Sequence, residues 1–169
     1  MPEVILPLGP CVIDWDNGAA IFRKTFGGIV FRYEELQAPI QEDQQGLTHI
    51  DDVTTGVVNP ILEAPLTNEE LDKLVLLFGN ATSASNLEVA NPVGEAMLAN
   101  AKRVVVKPII NGIISTTEAQ WVVIHRAVPR ITMEWTYDNA GQRVTTVLFK
   151  GYPTQVSGVI GALFRVSSA

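Results

Sequence analysis

Apolar and polar residues alternate most regularly at two places in the chain. Ile29, Phe31 and Tyr33 point one way and Val30, Arg32 and Glu34 the other, so Ile29 to Gln37 predicts a half-buried strand. In ITMEWTYDNAGQRVTTVLFKGYP, residues 131–153, two β-rich runs flank Asp138-Asn139-Ala140-Gly141, which predicts a hairpin. Met133, Trp135 and Tyr137 are expected to face the core, and Thr132, Glu134 and Thr136 to face out. Val53 to Leu66 has β character, with Pro60 marking a bulge, a break or an edge. KRVVVKPII (102–110) and AQWVVIHRAVP (119–129) add strands, and Val159 to Val166 adds a weaker one.

Helical periodicity is strong in one segment only. Thr67-Asn68-Glu69-Glu70 reads as a capping box, with Thr67 as N-cap and Glu70 reaching back. Leu71, Leu74, Val75 and Phe78 then form one apolar stripe, and Gly79 stands where a left-handed C-cap is wanted. The expectation is a helix of about three turns from Thr67 to Phe78, packed on a sheet. A short helix is also expected after Asn91 and Pro92. Residues 1–18 read as an arm or short edge strand. Residues 38–56 read as a long polar inter-strand loop carrying Glu42, Asp43, Asp51 and Asp52. Loops of that length are uncommon in compact domains and are often functional. With no repeat and no linker, residues 1–169 make one domain: about seven or eight strands and one helix. That predicts a mainly-β sandwich or barrel with a helix on one side.

Charge narrows the function. A net charge of −6 argues against a protein that grips nucleic acid by its phosphates. It leaves room for one past which nucleic acid slides. Cys11 is the single cysteine, which excludes an intrachain disulfide and fits a reducing compartment. MPEVILPLGPCVIDWD lacks a basic n-region and is broken by prolines, so it does not read as a signal peptide. No uncharged stretch reads as a membrane span.

Catalytic and ligand-binding patterns fail one by one. Cys11 with His49 or His125 has no local signature of a nucleophile pair, and His125 alternates with Val123 and Trp121 like any strand residue. Asp14-Trp15-Asp16-Asn17-Gly18 starts like a calcium loop, but Gly18, Ala19 and Thr25 occupy the positions that need Asp or Asn, Gly and Glu, so a turn is expected. His49, Asp51 and Asp52 lack a second histidine at ligand spacing. Glu34 and Glu35 are adjacent, so on a strand they face opposite sides. Gly27-Gly28 lacks the rest of a phosphate loop. No catalytic residue, metal or cofactor is expected, and the chain reads as a non-enzyme.

The order of elements carries a resemblance. TGVVNPILEAPLTNEELDKLVLLFGNAT resembles the major tail tube proteins of long, flexible-tailed bacteriophages, in which an acid-bearing strand runs into a capped helix of the type L-x-E-x-T-x-E-x-L. Leu62-Glu63-Ala64-Pro65-Leu66-Thr67-Asn68-Glu69-Glu70-Leu71 has that shape, with Pro65 as a departure. ITMEWTYDNAGQRVTTVLFKGYPTQ is similar to the family's C-terminal hairpin, ending here in Tyr152-Pro153-Thr154. The likeness spans most of residues 27–155. It implies two packed sheets flanked by a helix, and hexameric rings stacked into a virion tail tube assembled in the host cytoplasm. The phage genome would leave through that tube without specific binding. Implied partners are further copies of the chain and the tape-measure, tail-terminator and tail-tip proteins, with no membrane.

Within that reading, Glu34 and Glu134 are expected to line a weakly acidic lumen, because a basic one would hold DNA. The 38–56 loop is expected to join successive rings, as the resemblance also implies. Ile40, Leu47 and Ile50 would dock on the neighbouring ring, and Glu42, Asp43, Asp51 and Asp52 would pair with its basic residues. The alternatives are a related ring-forming tail-tip or secretion-system tube component, and a monomeric β-sandwich binding module with an exposed aromatic cluster.

Overall fold

The computed structural model describes residues 9–41, 49–67, 71–79, 81–83, 87–90, 93–135 and 143–166. Strands dominate. In chain order they are β1 (Cys11–Trp15), β2 (Ala20–Phe22), β3 (Val30–Gln41), β4 (His49–Thr67), β5 (Ala81–Ser83), β6 (Leu87–Val89) and β7 (Lys102–Ile110). After them come β8 (Ile113–Ile114), β9 (Val122–Glu134), β10 (Val144–Gly151), β11 (Thr154–Val156), β12 (Val159–Ala162) and β13 (Phe164–Val166). The α-helix, α1, spans Leu71–Val75.

Nine strands form one antiparallel sheet in the order β2-β1-β7-β9-β10-β4-β3, with β13 beside β9 and β8 beside β7. β5 with β6, and β11 with β12, form separate two-stranded ribbons. The main sheet curls back on itself. Beyond β2, the Thr67 N–H donates to the Lys24 carbonyl and the Phe26 N–H to the Pro65 carbonyl, each at 2.9 Å. These bonds tie the chain leaving β2 to the end of β4, so the two layers of this sandwich-like fold belong to one continuous wall. Trp15 of β1 and Phe149 of β10 meet across the interior with ring centres 5.5 Å apart. Ile13, Phe22, Leu62, Leu66, Ile124 and Val147 fill the rest of the core.

The 131–153 hairpin is central to that wall. β10 alternates strictly, with Thr145, Val147 and Phe149 buried. Phe149 stands opposite both Pro129 and Leu62, Val147 opposite Ile131 and Ala64, and Thr145 opposite Met133 and Leu66. Met133 is therefore on the core side, but it remains 36% exposed and Trp135 is only half-buried. Pairing of β9 with β7 stops at Ala127, so the far end of β9 has no neighbour on that side among the described residues. The same fact accommodates Pro129, whose missing N–H faces no ladder there. Thr132 and Glu134 are exposed as expected, and Thr136, Tyr137 and the turn lie outside the described residues.

Pro60 sits in a bulge, one of the three readings open from the sequence. Arg32 pairs with Ile61 and Glu34 with Val58, so β4 has one residue more than β3 across this step. Gly151 is needed beside it: a Cβ there would lie 2.6 Å from Pro60 Cγ and 2.9 Å from Ile124 Cγ2. Asp14 to Gly18 is a turn. Asp16 and Asn17 take left-handed backbone angles (φ 52° and 56°), and the Asp14 carboxylate accepts the Gly18 N–H at 2.6 Å.

Four expectations need correction. Of the two readings of residues 1–18, the strand holds for Cys11–Trp15, but β1 is paired on both sides and mostly buried, so it is not an edge. The helix is shorter than its stripe. Thr67 ends β4, held by its bond to Lys24, and after Val75 the chain turns tightly, with Leu77 and Phe78 donating to the carbonyls three residues back. Leu74 and Leu77 are buried, whereas Val75 and Phe78 are half-buried, so Leu77 replaces Phe78 in the core. The side chain of Leu71 and residues 68–70 of the capping box lie outside the described residues. Gly79 is not left-handed; it lies against the Asn100 side chain, which a Cβ would strike. The short helix expected after Asn91 and Pro92 is present as a 3-10 helix at Met97–Asn100. α1 packs against β2 and β5. Leu74→Ala should lower unfolding free energy by about 2–5 kcal/mol, read from urea denaturation; unchanged stability would remove Leu74 from the core.

Candidate assembly surface

The fourth correction concerns residues 38–56. Residues 38–41 and 49–56 are not loop but strand, the outer part of the β3–β4 hairpin, with the tip at 42–48 outside the described residues. The pairs run from Glu34 with Val58 out to Gln41 with His49. Eight residues of β3 therefore project as a ribbon of roughly 25 Å.

The register assigns this arm two unlike faces. On β3, Phe31 and Tyr33 turn inward, where both ring systems contact Phe164 of β13. Residues 34, 36, 38 and 40 therefore point the other way. Leu36 is paired with Gly56, Ala38 with Val53, Glu34 with Val58 and Ile40 with Asp51, which places Val58, Leu36, Val53, Ala38 and Ile40 on one face, with Glu34 at its base and Asp51 at its outer end. Leu36 is 47% exposed, Val53 46% and Ile40 40%. The reverse face carries Glu35, Gln37, Thr54, Pro39 and Asp52, interrupted by Val57. β4 holds one extra residue at Thr55 and another at Ile50 relative to β3, and such bulges twist a ribbon.

Of the expected anchors, Ile40 lies on the apolar face. Ile50 is in β4, in the outermost bulge. Asp51, opposite Ile40, and Asp52, opposite Pro39, are exposed near the end of the arm. Glu42, Asp43 and Leu47 lie outside the described residues. Glu34 and Glu134 both occupy the outward face of the β9-β10-β4-β3 layer and are exposed. Arg32, Arg130 and Lys150 share that face, and Arg32 bonds Glu63 at 3.1 Å, so the layer is balanced in charge rather than acidic. Other apolar side chains stand out on short strands, including Ile160 of β12 at 86% exposed and Ile113 of β8 at 71%.

The opposite side of the wall bears a second feature. Lys107 pairs with Asp14 and lies 4.5 Å from the Trp121 ring centre, next to the buried Val105 and Val123. Alongside them Arg103 of β7, His125 of β9 and Arg165 of β13 border a cleft of about 470 Å³, completed by Glu118, Thr154, Gln155 and Val156. A bulge positions the histidine: Lys102 pairs with Ala127 and Val104 with Ile124, leaving His125 and Arg126 opposite a single residue. Arg165 bonds Glu118 at 3.0 Å and Arg103 donates to Asn17 at 3.0 Å. Sequence spacing gives no sign of this cluster, because its charges lie far apart along the chain and meet only through pairing.

Burial, helped by the Arg165 and Arg103 guanidiniums, holds the His125 imidazole below its ordinary value of 6.5. The folded protein thus binds fewer protons here than the unfolded chain. The resulting stability is present above pH 6.5 and is lost as pH falls through the lowered folded value. The melting temperature should fall on acidification from pH 7.5 to 5.5, and less so in His125→Gln. Equal falls in both proteins would show that His125 carries none of it. Burial likewise pushes the Cys11 thiol up, away from the reactive thiolate.

Among the described residues no three His, Cys, Asp or Glu side chains gather as for a metal ion, and no helix is long and apolar enough to cross a membrane. No protein-family model matches the chain, and no curated protein matches it.

Proposed function

We propose that this chain is a structural subunit whose role is to self-assemble, as the tail tube protein of a long-tailed bacteriophage: rings of copies stacked into a tube through which DNA passes. The observation that carries this reading is the arm. An amphipathic two-stranded ribbon with Leu36, Val53, Val58 and Ile40 on one face is poorly satisfied in water. An isolated hairpin of this kind needs a third surface to be stable. A neighbouring copy supplies that surface at every repeat of a polymer. The exposed apolar short strands around Ile113 and Ile160 are further surfaces that packing between copies would cover. The balanced charge around Glu34 and Glu134 suits a wall that neither holds nor strongly repels a polyanion.

Sedimentation velocity across a wide concentration range tests the proposal. Large species should appear as concentration rises, and Leu36→Asp should suppress them without lowering the unfolding midpoint. A chain that stays monomeric throughout would overturn it.

A further inference from the structure

We propose that the Arg103–His125–Arg165 cleft is the dock for the acidic arm of a second copy of this chain. The inference rests on the self-assembly reading above and names the surface that receives the arm. The chain carries a net charge of −6, so most of its surface repels an acidic segment. This cleft is different: two guanidiniums and an imidazole border about 470 Å³ of open space, against one carboxylate, Glu118. Glu118 and Arg165 are both well exposed, and an exposed pair is a weak hold. The Arg165 fork is therefore available to exchange Glu118 for an incoming carboxylate, which guanidinium geometry accepts with two parallel hydrogen bonds. Near its end the arm presents Asp51, on the same face as Ile40, and Asp52 on the reverse face, both exposed. Val156 adds apolar lining to the cleft, and Ile40 lies opposite Asp51 on the arm, so the match extends beyond charge.

Geometry adds a further point. Arm and cleft are different surfaces of one molecule, so a docking event that is not reciprocated leaves a vacant arm at one end and a vacant cleft at the other, and such a head-to-tail contact propagates into a ring or filament.

Charge reversal tests the pairing in full-length protein. Arg103→Glu with Arg165→Glu, and separately Asp51→Lys with Asp52→Lys, should each raise the concentration needed for assembly about tenfold or more. A chain carrying all four reversals should assemble again. Circular dichroism and thermal melting check that each variant is folded, and Arg103→Gln with Arg165→Gln serves if the double glutamate variant is not. Two results overturn the inference while leaving self-assembly intact: cleft variants that assemble like the parent, or a fourfold variant no better than its halves. A parent chain that never associates overturns both readings together.

Discussion

Replacing residues 37–55 with a two-residue Asn-Gly turn should leave a folded protein that no longer associates. The cut is placed where Leu36 faces Gly56 across the ribbon, so the remaining strands stay in register. No residue of the core cluster lies between 32 and 61, and the bonds that close the wall, at Lys24, Phe26, Pro65 and Thr67, are remote from the cut. The urea midpoint should therefore move little. Association should fail because the apolar face of Leu36, Val53, Ala38 and Ile40 is lost or left without its frame. Sedimentation reads the loss. Normal assemblies from this variant would show that the arm joins nothing.

Phe149→Ala should have the opposite signature: it should unfold the protein. Phe149 is fully buried, stands between Pro129 and Leu62 in the sheet, and reaches across the interior to Trp15. It links β10 to β1, on opposite walls of the curled sheet. Truncation leaves a cavity that the strands cannot collapse without breaking the wall, which costs about 3–5 kcal/mol. Against a total stability of about 5–15 kcal/mol, that removes a large share. Urea denaturation measures it. A loss below about 1 kcal/mol would mean that Trp15 and Phe149 do not hold the walls together.

The two variants separate what was legible in the sequence from what was not. Period-two alternation marks β10 because one of its faces lies on the core and the other is only half-buried. Lys102–Ile110 was legible for its β-branched run, and Pro60 and the Asp14–Gly18 turn for the backbone chemistry of their residues. The arm was hidden for a physical reason. Val53 and Val58 share a face although five positions apart, and Val58 and Leu62 face opposite ways although four apart, because extra residues at Thr55 and at Asn59–Pro60 each reverse the parity of β4. A pattern that changes phase twice, in a ribbon exposed on both sides, reads as a polar loop. Thr67 closes β4 and gives its N–H to the Lys24 carbonyl, while residues 68–70 of the capping box lie outside the described residues. The cleft was invisible because β7, β9 and β13 bring Arg103, His125 and Arg165 together from distant parts of the chain.

Electron microscopy of the purified, unmodified protein at high concentration decides whether the chain builds a tube. Rings with a central channel, stacked into tubes of uniform diameter, are expected. Single small particles at every concentration, or sheets and clumps without a channel, would contradict that expectation.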